Sequence, residues 1–247
     1  MFSRKGNNMQ NLDSYTVIDL EMTGLSAKRD RVIEIGAVRV RNGQTEDTYG
    51  TLVRVKCEIP QKVQELTGIT SEMAAGGMDE NEAMQKLLDF IGKDILVGHN
   101  ITYDYSFIKQ WAVNRRIPLE LYACDTLRLA RMLLAPEQSK KLEDLCAFFH
   151  IKREQAHRAL DDAIQTQQLF ECLKPLAQKK PELLEPKRLV YRAKRQTPAT
   201  AHQMKRLKEF MALHGIQDSI CWETLTRSAA SRLQDQYYTL YGRNAGK

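Results

Sequence analysis

What this chain lacks narrows its class before any motif is read. No apolar run approaches the roughly 20 residues that a bilayer span needs, so no membrane partner is expected. The stretch Met1 to Leu12 is polar and has no apolar h-region, so the protein is expected to stay where it is made, in the cytoplasm. Cysteine is scarce. Cys57, Cys124, Cys146, Cys172 and Cys221 are odd in number, widely spaced and never C-x-x-C, which argues against a disulfide framework and against a zinc site. They read as reduced, mostly buried small hydrophobes. Internal repeats and low-complexity tracts are also missing, which sets aside solenoid and biased-composition architectures.

What is present fits an ordinary globular protein. With 43% hydrophobic and 28% charged residues in 247, the chain can build one domain with its own core and a smaller appendage. Charge is unevenly spread: residues 1–174 hold 23 Lys+Arg against 25 Asp+Glu, whereas residues 175–247 hold 14 against 6. The net +6 therefore belongs to the C-terminal third. A nucleic acid is the natural partner for such a region, because each Lys or Arg that meets a phosphate releases condensed counterions. The alternative is a solvated, solubilising tail.

Periodicity gives a coarse order of elements. Tyr15–Asp19, Arg31–Val40 and Thr48–Val55 read as strands, with Asn42-Gly43 as a hairpin turn between the second and third. Pro60–Leu66 and Asn81–Ile91 read as helices, Ile95–Val97 as a buried strand, Tyr103–Val113 as a helix and Leu121–Cys124 as a last strand. Asp125 can cap a helix over Thr126–Leu134, and Leu142–His150 and Ala156–Leu173 follow as helices. A meander followed by alternating strands and helices predicts an α/β fold, a mixed sheet flanked by helices. Residues 175–198, basic and carrying Pro175, Pro181 and Pro186, read as a linker. Residues 199–247 become periodic again, with Met204, Leu207 and Met211 on one helix and Leu233, Tyr237 and Leu240 on another behind a Thr226 cap, and predict a small helical module.

Three groups of acids stand where an apolar pattern does not ask for them. Asp19-Leu20-Glu21 closes the first strand, and the twofold strand period sends both carboxylates to one face. Two carboxylates so close repel unless a cation lies between them, and Mg²⁺ or Mn²⁺ suits such oxygen donors. Asp104 opens a helix just after a buried strand and Gly98-His99-Asn100, at a strand-to-helix junction where ligands bind. An acid there can equally serve its own helix N-terminus. Finally, His157 and Asp162 lie in HRALDDA. Five residues turn a helix by about 500°, so His157 belongs on the loop or first turn before the helix, and Asp161 points about 100° away from Asp162.

Taken together, Asp19-x-Glu21 in DLEMTGL, Asp104 in GHNITYD, and His157 with Asp162 in HRALDDA resemble the three motifs of the DEDDh exonuclease family, which includes the proofreading subunit of bacterial replicative DNA polymerase. VIEIGAV, ELTGIT and CDTLRLAR match as well, and the likeness covers roughly residues 14–173. The resemblance implies a ribonuclease H-like fold over an exonuclease domain, 1–174, and 3′ to 5′ hydrolysis of nucleic acid with a free 3′ end. It implies two divalent metal ions, Mg²⁺ or Mn²⁺, held by Asp19, Glu21, Asp104 and Asp162, with His157 as general base. It further implies contacts to the terminal nucleotide from Met22, Thr23, Gly24, Leu25 and Leu66, with Asn100 and Phe107 behind them. DNA is the favoured substrate and a DNA polymerase a conceivable partner. RNA trimming, or a non-catalytic docking or nucleic-acid-binding role, are the alternatives.

Overall fold

A computed structural model describes residues 12–152, 157–218 and 220–243. Its centre is a six-stranded sheet in the order β3-β2-β1-β4-β5-β6. The strands β1 (Tyr15–Met22), β2 (Val32–Arg41) and β3 (Gln44–Leu52) form the antiparallel meander. Asn42 and Gly43 both take positive φ, 53° and 75°, the turn that matches strand twist. That two-residue turn starts β3 at Gln44, earlier than the apolar run at Thr48 suggested. β4 (Leu96–Gly98) and β5 (Tyr122–Asp125) add on in parallel.

Helices cover both faces. On one lie α3 (Glu80–Ile91) and α4 (Thr102–Asn114), over Ile18, Leu20, Ile35 and Leu96. On the other lie α5 (Thr126–Leu133), α6 (Leu142–Phe148) and α7 (Ala159–Leu176), over Tyr15, Val17, Val38 and Val97. The expected start of the last of these at Ala156 lies outside the described residues. Before α3, α1 (Gln61–Thr67) and the five-residue α2 (Ser71–Ala75) pack around Ile59 and Ile69. α2 has no counterpart in the periodicity, since five residues are too few to show one. No helix among the described residues is long and apolar enough to cross a membrane.

The expected linker is not a free tether. Lys187–Arg188 forms β6, antiparallel on the edge of β5, so Leu121–Cys124 does not mark the last strand. Leu183 is buried in the α7-side core, and Leu189 and Tyr191 pack against the other. Beyond it, α8 (Ala201–His214), with a Thr200–Gln203 capping box, and α9 (Arg227–Tyr241), capped by Thr226, enclose a small core of Leu207, Phe210, Ala230 and Tyr237. No disulfide joins the five cysteines, but only Cys124 and Cys146 are buried, the others being half-buried.

Candidate active site

Strand phase explains where the acids fall. Tyr15, Val17, Asp19 and Glu21 share one face of β1. The first two lie in the core under α7, Tyr15 meeting Phe170 edge-on at 5.1 Å between ring centroids. β4 is short and pairs with β1 only at Thr16 and Val17, so β1 runs on past it. There the row of side chains leaves the apolar core and continues as carboxylates. The first turn of α7 brings Asp162 to meet them, 7% exposed, while Asp161 turns away and is half-buried. Oxygens of Glu21 and Asp162 and a ring nitrogen of His157 lie within 4.8 Å of one another, a spacing one cation can bridge.

Asp104 approaches from the other face of the sheet. It sits in the first turn of α4, 5% exposed, and its Oδ1 accepts the Leu20 N–H at 3.0 Å, a donor that β4 ends too early to engage. Asp125 holds that junction together. Its Oδ1 accepts from Leu127 and Arg128 at the start of α5, as expected of a cap, and also from the N–H of Asn100, a residue at φ 64°. His99 bridges Thr126 and the Lys140 carbonyl, 2.9 Å to each, and burial lowers its pKa.

His157 stands on the bend before α7, in the left-handed region at φ 60°, an uncommon place for a residue with a side chain. The sequence reading missed what holds it there. Glu34 lies directly across the ladder from Glu21 and is 5% exposed. Its carboxylate receives Arg158 Nε at 3.1 and 3.2 Å, Arg158 Nη2 at 2.6 Å and the Ala159 N–H at 2.9 Å, so one acid both caps α7 and fixes the residue after His157. Gly36 lies across from Asp19, and a Cβ there would fall 2.1 Å from the Ala159 carbonyl carbon. Only glycine lets the helix start this close to the strand. The signal was in VIEIGAV: Glu34 and Gly36 are in phase with Val38 and Val40, the buried row.

So many acids in one place alter each other. Burial, then Asp104, Glu21, Asp162 and Glu34 in turn, push Asp19 well above the usual carboxylate range. Burial and then Asp162 lift Glu21 to about 8, against an opposing pull from Arg158. Burial lifts Asp104 to about 7, although backbone N–H donors, Leu20 among them, pull it down. This hard oxygen set with one imidazole fits a divalent cation, whose charge would hold the acids ionised.

The expected nucleotide contacts differ in exposure. Leu25 and Leu66 are open, 76% and 55% exposed. Thr23 pairs its backbone and hydroxyl with Arg31, Gly24 lies against the Asp30 carboxylate, and Met22 is half-buried against the core. Phe107, expected behind them, is drawn into the core by the inward phase of α4, 4% exposed.

Comparison with known proteins agrees with the geometry. A family model described as Exonuclease matches residues 16–170. The PolC-type DNA polymerase III of Clostridium perfringens is 39% identical over 158 residues, which are 64% of this chain and 11% of that protein. The DNA polymerase III subunit epsilon of Aquifex aeolicus is 34% identical over 158 residues, 64% of this chain and 78% of the relative. The chain thus spans about a ninth of the PolC-type relative and most of the epsilon subunit. Among solved structures, Exonuclease X in complex with 5′ overhanging duplex DNA superposes with TM-score 0.55 at 22% identity, covering 69% of this chain and 96% of that one. The nuclease domain of 3′hExo, a DEDDh family member bound to rAMP, gives 0.59 at 19%, covering 72% and 98%. These likenesses show the ribonuclease H-like fold.

Proposed function

The chain belongs to the exonuclease family, and on that premise we propose a cytoplasmic 3′ to 5′ exonuclease that releases nucleoside monophosphates from the 3′ end of DNA. In this reading residues 1–174 form the catalytic domain and residues 199–247 an accessory module. The observation that carries it is the meeting of Glu21, Asp162 and His157 within 4.8 Å, beside Asp19 and the Asp104 that Leu20 holds in place. Asp19, Glu21, Asp104 and Asp162 would hold two divalent ions, Mg²⁺ or Mn²⁺. Bound there, the ions would activate water, neutralise phosphoryl charge and ease departure of the 3′ oxygen.

The chain's own groups supply the rest. His157 accepts the proton of the attacking water, which an imidazole does near neutral pH. The Glu34–Arg158 pair and the close start of α7 keep the bend that presents it. Leu25 and Leu66 offer exposed apolar surface for the terminal base, and Thr23 and Gly24 place backbone beside it.

DNA is favoured because Exonuclease X carries duplex DNA and two relatives are DNA polymerase III proteins, which also supports a polymerase partner. The rAMP on 3′hExo favours RNA trimming as the second reading, since this acid set does not by itself recognise a 2′-OH. Time courses on matched 3′-labelled and 5′-labelled DNA and RNA, single-stranded and duplex, with Mg²⁺ or Mn²⁺, decide among them. Mononucleotides should leave from the 3′ end and only with cation. Release from the 5′ end, or none, would sink the proposal.

A further inference from the structure

The small C-terminal module rests against the loop that follows β1. Arg31 Nη2 donates to the Thr224 carbonyl at 3.4 Å, Gln196 Nε2 donates to the Lys28 carbonyl at 2.6 Å, Lys56 pairs with Glu223, and the Cys57 thiol lies against Cys221. Between loop and module opens a cleft of about 530 Å³. Lys28, Arg29 and Arg31 line it from the loop, and Arg232 from α9. The one acid in its lining, Asp218, already accepts the Tyr237 hydroxyl at 2.7 Å. Among the described residues none of the four cations forms an ion pair with a carboxylate, whereas Arg39, Lys56 and Lys205 each do.

Four unpaired cations from two distant parts of the chain converge on one cleft, and like charges held together are costly unless a polyanion joins them. One wall of the cleft is tied through Arg31 to the strand that carries the acids. The Arg31 N–H donates to Thr23 Oγ1 at 2.9 Å and the Thr23 N–H to the Arg31 carbonyl at 2.8 Å, and Thr23 lies two residues beyond Glu21, roughly 7 Å along an extended chain. Thr226 and Gln236 add neutral polar groups to its wall.

We propose that this cleft holds the phosphodiester backbone of a single nucleic-acid strand whose 3′ end lies at the carboxylates, with Lys28, Arg29 and Arg232 as its phosphate contacts. This rests on the exonuclease reading and adds a path for the strand. The half-buried Arg31 serves both the module contact and the cleft, so it is left intact in the test.

The test uses the full chain carrying Lys28→Ala, Arg29→Ala and Arg232→Ala together, all three positions being exposed. Binding of a 5′-labelled single-stranded oligonucleotide is followed by anisotropy in chelator, from about 50 to 200 mM salt. Affinity should fall about tenfold at the lower salt, and the slope of log affinity against log salt should flatten by about 2, the release expected for three phosphate contacts. Hydrolysis of the p-nitrophenyl ester of thymidine 5′-monophosphate, too small to reach the cleft, should be unchanged. Equal affinity and slope in wild type and variant overturn the inference, as does a fall in affinity with no change of slope. If wild type fails to hydrolyse the ester, the exonuclease reading fails on its own, and the anisotropy still decides the cleft.

Discussion

At the scale of single residues, the acids of this site oppose folding in proportion to their ionisation. Glu21 ordinarily titrates at 4.5 and in the fold at about 8, and Asp104 moves from 3.8 to about 7. The folded chain therefore holds protons that the unfolded chain has lost, so stability present below the ordinary values is lost as pH rises through the shifted ones. In chelator, the melting temperature should fall by several degrees between about pH 5 and pH 8, and Mg²⁺ should remove most of that slope. A flat profile in chelator would show that the acids do not share a buried site. His157 has a separate test. His157→Ala should leave cation affinity largely intact while lowering turnover about 10²-fold, and near-normal turnover would sink its assignment. Asp19 and Glu21 were legible because alternation alone puts them together, and Asp162 because helix geometry rules out its neighbour. Glu34 follows from the same alternation, but a carboxylate inside VIEIGAV attracts no notice until its partner Arg158, 124 residues on, is seen to reach it.

At the scale of elements, the site depends on how closely α7 meets the sheet. Gly36→Ala would drive a methyl into the Ala159 backbone, which cannot yield as a side-chain tip can. Denaturant unfolding should show a loss of about 3 kcal/mol. Turnover should fall more than stability alone explains, since the displaced turn carries Asp162 and follows His157. Wild-type stability in that variant would mean the helix does not start where it is described. Glu34→Ala should cost about 2 kcal/mol, one helix cap and one buried partner, and should lower turnover with little change in cation affinity. Elements with long periods or strong turns, such as α3, α4 and the Asn42-Gly43 hairpin, could be read from the chain. α2 and β6 could not. The first is a single turn and a half, and the second is a strand only because the edge of β5 offers it partners.

At the scale of the whole molecule, the C-terminal third divides differently from its composition. Its first part looked like a basic linker because its apolar contacts come one at a time: Leu183 into one core, Leu189 and Tyr191 against the other, with no repeat to betray them. Chain removed after residue 198 takes away a module with its own core, whereas chain removed after residue 174 also strips β6, takes Leu183 and Leu184 out of the α7-side core and deprives the Cys124 thiol of the Leu184 carbonyl to which it donates. The shorter truncation should keep the main melting transition within a few degrees and the ester hydrolysis of the full chain, while losing the salt-dependent grip on oligonucleotides. The longer one loses several buried apolar side chains at about 2 kcal/mol each, enough to lower the transition by about 10 °C or more. Calorimetry of the two chains separates the possibilities: equal melting temperatures would mean that residues 175–198 contribute nothing to the catalytic domain and serve only as a tether to the module behind them.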